Sequence, residues 1–215
     1  MRKEWEVKNF EDCLQKVGKI NKIPKKEFLS SGLFPIVSQE ASFINGYWNN
    51  EEDVFKIKNP VVIFGDHTKI IKYVDFDFVS GADGVKVLSP IEEINSKFFS
   101  YHLQSIKLRD LGYARHYRLL KEKLISYPNI DEQKEIAAIL DNTFESIDKA
   151  KTNIEKNIEN AKELFQSKLN HIFSQTGEDW RKVSIESLCS KTKNINWKEN
   201  TNNEFDYIDL SSVSR

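Results

Sequence analysis

Residues 130–173 read IDEQKEIAAILDNTFESIDKAKTNIEKNIENAKELFQSKLNHIF, and no other stretch limits the fold of this chain as strongly. Ile136, Leu140, Thr143, Ile147, Ala150, Ile154, Ile158, Ala161, Phe165, Leu169 and Ile172 recur at spacings of three or four, the period of one continuous α-helix. The positions between them are mostly Lys, Glu, Asp, Asn and Gln, so a single apolar stripe faces a partner while the other faces are wet. Asn129 with Glu132 three residues later, directly after Pro128, has the form of an N-cap and capping box, and Gly177 after Lys168 and His171 marks a stop. At ~1.5 Å per residue the helix is about 65 Å long, whereas a domain of this size spans about 30 Å. Packing on its own domain leaves part of the stripe bare. The sequence has no second helix of that length, so the expected partner is another copy or another protein, with Ile136, Leu140, Ile147, Ile154, Ile158, Ala161, Phe165, Leu169 and Ile172 as the dimerisation contacts.

The 215 residues are enough for one full domain and this helical appendix. There is no run of 18 apolar residues, and MRKEWEVKNF has neither an apolar signal core nor a cleavage site, so the expectation is a cytoplasmic protein with no membrane contact. Cys13 and Cys189 make neither a disulfide framework nor a metal cluster and read as reduced, buried small residues. The net charge of −1 hides an asymmetry. Residues 1–130 carry 20 Lys and Arg against 17 Asp and Glu, and the remainder carries 12 against 16. Any nucleic acid must therefore bind at local patches and not over a uniformly basic surface.

A weak self-similarity relates the first 21 residues to those from Asp179 onward, at an offset of 175. Trp5 matches Trp180, Glu11 matches Glu186, Lys16 matches Lys191, and Ile20 and Asn21 match Ile195 and Asn196. The expected organisation is a first domain over 1–128, the spacer and dimerisation helix over 129–176, and the truncated start of a second repeat over 177–215. Within the first domain, short strands are expected at 4–7, 34–38, 54–57, 61–64, 70–74 and 85–88. A helical turn is expected at 10–17 and a helix at 95–108, capped by Asn95 or Ser96. The fold class is α+β: a mixed domain followed by one long helix that pairs in an antiparallel, coiled-coil-like fashion.

Three patches are candidates for chemistry. Lys16, Lys19, Lys22, Lys25 and Lys26 follow one another with no acid between Asp12 and Glu27, which fits either a solvated loop or contact with backbone phosphates. Gly65, Asp66, His67, Thr68 and Lys69 form a polar tip after an apolar strand, which either merely closes a hairpin or offers donors and acceptors to base edges. The segment KLRDLGYARHYRLLKEK at 107–123 interleaves Tyr113, His116 and Tyr117 with Arg115, Arg118 and Lys121. Arg takes phosphate or guanine bidentately and Tyr packs on sugar or base, so this is the strongest nucleic-acid signal, with a plain basic amphipathic helix as the alternative.

Catalytic sets are largely missing. There is no Gly-rich phosphate loop, nucleophile elbow, zinc-protease motif or deaminase signature. One His beside one Asp at 66–67 lacks the ligand count of a zinc site, and Glu6-Val7-Lys8 has no upstream acid on a preceding strand to complete a nuclease metal centre.

The segment PNIDEQKEIAAIL at 128–140, the opening Glu4-Trp5, and the stretches FGDHTKIIKYVDFDFVSGADGVKVL at 64–88 and GYARHYRLLKEK at 112–123 together resemble the specificity subunit of type I restriction-modification systems. That resemblance implies a non-catalytic reader of double-stranded DNA. In the family two recognition domains each read half of a bipartite site and are held apart by two antiparallel helices. Methyltransferase subunits carrying S-adenosylmethionine and a motor-nuclease subunit dock on them, so no cofactor is expected in this chain. Only one complete domain and one helix are present here, a departure from the family pattern that a half-length subunit could make good by pairing helix to helix with a second copy, which would give a symmetric site. The expected DNA contacts are Lys19, Lys22, Asp66, His67, Lys69, Tyr113, Arg115, His116, Tyr117, Arg118 and Lys121. The competing readings are a dimeric protein-interaction scaffold that does not bind DNA, and a subunit of another DNA-acting enzyme.

Overall fold

Val62 and Phe64 of the VVIFG run point into one hydrophobic core, and Val61 and Ile63 into another. All five residues of this strand are buried, so it has no wet face and its apolar residues run on without alternation. The computed structural model describes residues 5–82, 84–112, 114–175, 177 and 179–190.

In chain order the strands are β1 (Glu6–Asn9), β2 (Leu14–Gln15), β3 (Lys22–Ile23), β4 (Phe34–Val37), β5 (Gly46–Trp48), β6 (Val54–Phe55), β7 (Val61–Gly65), β8 (Ile71–Val74), β9 (Phe78–Gly81), β10 (Val85–Pro90) and β11 (Leu124–Tyr127). The helices α1 (Ser96–Ser105), α2 (Tyr117–Lys121) and α3 (Ile130–Ser174) complete the framework. β1 and β11 form an antiparallel ribbon. β2, β10, β7 and β8 lie side by side in that order, all antiparallel. In the third sheet β9 is central. It runs parallel to β4 on one edge, while its other edge is shared by β3, which takes Ser80 and Gly81, and β6, which takes Phe78 and Val79. β5 pairs antiparallel with β4.

One core lies between β7, β10, α1, α2, β11 and the start of α3, with Phe10, Phe64, Phe99, Leu103, Leu120 and Ile125 fully enclosed. The second lies across β7 toward β4 and β9, around Val37, Ile63, Val74 and Phe78. The strands expected at 34–38, 61–64, 70–74 and 85–88 are present, and so is the helix expected at 95–108, with Asn95 Oδ1 accepting from the N–H of Lys97 and Phe98, both at 3.0 Å. The helical turn expected at 10–17 is shorter, a 3-10 turn at Phe10–Cys13 that gives way to β2. Strands β3, β5, β9 and β11 were not expected from the local pattern, and they exist because distant segments complete their ladders.

α3 is one helix of 45 residues. Asn129 caps it as expected, its Oδ1 accepting from the N–H of Asp131 at 3.2 Å and Glu132 at 3.1 Å. Gln133, wholly buried, anchors the first turn. Its Nε2 donates to the carbonyls of Glu93 (2.9 Å) and Pro128 (2.8 Å), and its Oε1 accepts from the N–H of Asn95 (2.8 Å). Ile136, one of the positions expected in a dimer interface, is half-buried and packs on the domain's own core, because it lies on the same face as buried Gln133 and Ala137. Residues 142–174 are all exposed except Leu169, which is half-buried. The chain divides into two compact units, Met1–Ile154 and Glu155–Arg215, so the opening turns of α3 belong with the sheets.

After α3, Ser184 caps a helical turn at Ile185–Leu188, which stands 175 residues after the turn at Phe10–Cys13 that follows Asn9. Phe10 and Cys13 are fully buried, whereas Ile185 and Leu188 are 78% and 72% exposed. Cys189, expected to be buried, is exposed, since nothing described packs over this turn; Cys13 is buried as expected. Among the described residues no helix is long and apolar enough to cross a membrane, and no group of three or more His, Cys, Asp and Glu is placed to hold a metal ion.

Candidate nucleic-acid interface

The turn between β7 and β8 is tight. Gly65 N–H donates to Ile70 O and Lys69 N–H to Gly65 O, both at 2.8 Å, and Lys69 takes the left-handed conformation at φ 62°. A Cβ on Gly65 would lie 2.2 Å from Thr68 Oγ1, so glycine alone fits that position.

Asp66 ties this tip to the basic segment. Its N–H donates to Gly84 O (2.6 Å), its carbonyl accepts from the His116 N–H (2.8 Å), and its Oδ1 accepts from the Tyr117 N–H (2.7 Å), capping α2 from outside. His116 closes the junction. Its Nε2 accepts from the Leu111 N–H at 3.2 Å, which leaves Nδ1 as the protonated nitrogen, donating to Asp66 O at 3.0 Å. Lys69 Nζ adds an ion pair to Asp110 at 3.1 Å, and Asp110 is held below the usual carboxylate range by the Gly112 N–H and then by Lys69.

Two of the three sequence patches therefore meet, and the meeting changes some roles. Asp66 is 2% exposed and His116 fully buried, so as the chain stands both hold neighbouring segments in place and neither presents its side chain to solvent. Tyr117 is a boundary ring. It packs on Phe10 and Phe64 at 5.9 and 6.1 Å, with the ammonium groups of Lys86 and Lys121 5.3 and 5.5 Å from its centroid, and burial raises its phenol pKa. Lys121 also pairs with Glu11 at 2.6 Å. Arg115 and Arg118 flank the buried His116, are exposed, and form no ion pair among the described residues. His67 is half-buried, its N–H donating to Gln39 Oε1 at 3.2 Å. From the first patch, Lys22 is drawn toward the same region, its Nζ donating to Val85 O at 2.9 Å next to Gly84, while Lys19 is exposed. Tyr113 lies outside the described residues.

Sequence reasoning missed a third loop, 38–45. Gln39 joins it to the tip, accepting from the His67 N–H through its side chain and from Thr68 Oγ1 (2.7 Å) through its carbonyl. Lys72, 5% exposed, clamps it from within, its Nζ donating to Ser38 O (2.7 Å), Ser42 O (2.6 Å) and Asn45 Oδ1 (3.0 Å), with Phe43 O at 3.4 Å. Burial lowers the Lys72 ammonium pKa to about 8, while the nearby Glu40 carboxylate favours the charged form. The signal was present in β8, where Lys72 stands in phase with inward Val74.

Fold and surface together define a mixed α+β domain with a basic, hydrogen-bond-locked loop cluster and a long helix at its end. A family model described as the type I restriction modification DNA specificity domain matches residues 2–160, and the chain belongs to that family. It is 28% identical over 87 residues to the type I restriction enzyme EcoR124I/EcoR124II specificity subunit of Escherichia coli, a match covering 39% of this chain and 22% of that protein. The fold is similar to a chain from a solved structure of the type I R-M system, with a TM-score of 0.61 and 15% identity over 78% of this chain and 45% of that one. A type I restriction-modification S subunit from M. genitalium aligns with a TM-score of 0.48 and 17% identity over 72% of this chain and 43% of that one. The chain thus spans less than half the length of the relatives it matches.

Proposed function

We propose that this chain is a sequence-specific reader of double-stranded DNA that directs the methyltransferase and motor-nuclease subunits of a type I system to their site without catalysing a reaction itself. S-adenosylmethionine would then be bound by the methyltransferase partner. The observation that carries the reading is the pair Arg115 and Arg118, exposed and without an acidic partner among the described residues, on a segment locked to the strand-end tip by Asp66 and His116. Guanidinium groups held in this way and left unneutralised suit phosphate and guanine. Lys19, Lys22, His67 and Lys69 supply further cationic and polar groups, with the Tyr117 ring on the same segment as Arg115 and Arg118.

The exposed stripe of Ile147, Ile154, Ile158, Phe165 and Ile172 supports a second part of the proposal. Two copies pair helix to helix, and the heads read the two halves of a symmetric site. The segment after α3 is the opening of a second repeat, as the recurring helical turn suggests. A protein-interaction scaffold without DNA binding accounts for the stripe but leaves the unpaired arginines unused. The test is Arg115→Glu with Arg118→Glu in the complex copurified from the native host. Site-specific protection of DNA by the methyltransferase is expected to disappear, and full protection would remove the patch from the function.

A further inference from the structure

The 38–45 loop presents Ala41, Ser42 and Phe43 to solvent, two small residues and an aromatic ring, none of them charged. Phe43 is 47% exposed and is braced on its inner side by Phe76 at 5.9 Å, edge to face. The loop is joined through Gln39 to His67 and Thr68, and those residues adjoin Asp66, which holds His116 and Tyr117. Beneath the loop, four oxygens surround a buried ammonium. A buried charge is costly, and here three of its oxygen partners are main-chain carbonyls of this one loop, so its effect is to hold the loop in a single shape. Rigid presentation of an exposed apolar side chain does not serve phosphate binding, which needs donors and charge. It does suit the apolar group that the major groove displays, the thymine 5-methyl.

We propose that the 38–45 loop is a base-reading arm, and that Phe43 contacts the 5-methyl group of a thymine next to the bases faced by the 65–69 tip. Lys72 is then a positioning residue for specificity. This rests on the DNA-reading function of the same surface.

The test uses the full chain and a pool of random-sequence duplex oligonucleotides. Duplexes selected by the wild type are compared with those selected by Phe43→Ala, and each thymine of the selected site is then replaced by deoxyuridine. Loss of one methyl contact corresponds to about a fourfold weakening. At one thymine the wild type is expected to lose affinity by that factor on replacement. Phe43→Ala is expected to select the same site with that position relaxed and to bind thymine and uracil alike there. Equal sensitivity of wild type and Phe43→Ala at every thymine would overturn the role of Phe43 while leaving the DNA-reading function intact. Failure of the wild type to enrich any sequence would overturn both. The thymine-to-uracil step changes the DNA alone, so it stays informative if the substitution disturbs the loop.

Discussion

At the scale of single residues, the surface divides into exposed side chains and side chains that hold others in place. His116 is of the second kind. Replacing it with Leu removes the Nδ1 hydrogen bond to Asp66 O, which is buried, and the acceptor of the part-buried Leu111 N–H, a loss of about 1–3 kcal/mol. A urea midpoint unchanged from wild type would contradict the role assigned to the ring. Charge reversal at exposed Arg115 or Arg118 is expected to leave that midpoint within error while weakening DNA binding, so the two classes of variant have opposite signatures. Lys72 adds a pH dependence. Its folded pKa, about 8, lies below the unfolded value near 10.5, so between those limits the native state binds fewer protons than the unfolded chain and its stability rises with pH. Cys13, whose thiol burial raises to about 11, acts in the opposite sense above pH 9. The difference between wild type and Lys72→Met cancels the thiol, so stability measured from pH 7.5 to 10 should climb more in the wild type. Parallel curves would show that this ammonium is not desolvated.

At the scale of elements, β7 and α3 were legible in the sequence for different reasons. β7 is buried on both faces, and burial on both faces demands an unbroken apolar run. Phe64→Ala should therefore cost about 3–5 kcal/mol, a loss that thermal unfolding would register as a large drop in Tm. α3 declared itself through its period and its cap. Strands β3 and β9 did not, because a two-residue and a four-residue strand owe their existence to each other across 55 or more residues of chain. The candidate contacts were chosen as residue types, and which of them remain on the surface depended on burial. Asp66 and His116 sit in the middle of polar segments and look like exposed side chains until the tip and α2 are seen to close over them.

At the scale of the whole molecule, the prediction concerns association. Double substitution of Ile147 and Ile158 by Asp places charges on the proposed helix seam, while both positions are already exposed in one chain, so its fold should be untouched. The wild type is expected to sediment as a dimer at micromolar concentration and the variant as a monomer with the same circular dichroism. A monomeric wild type would remove the paired-scaffold proposal. For DNA, affinity should fall steeply with salt, and removal of one phosphate-contacting cation should flatten that slope by about one unit.

The amino-acid sequence by itself determined the long helix, its cap, the buried central strand and the basic aromatic segment, since each follows from the periodicity or composition of a contiguous stretch. Only the tertiary structure decided which polar groups remain on the surface, how the tip, the basic segment and the lysine-clamped loop converge, and where the helix stripe stops serving its own domain. Those outcomes depend on contacts between residues 28 to 51 positions apart, and nothing in the local pattern encodes which of two distant segments will cover the other.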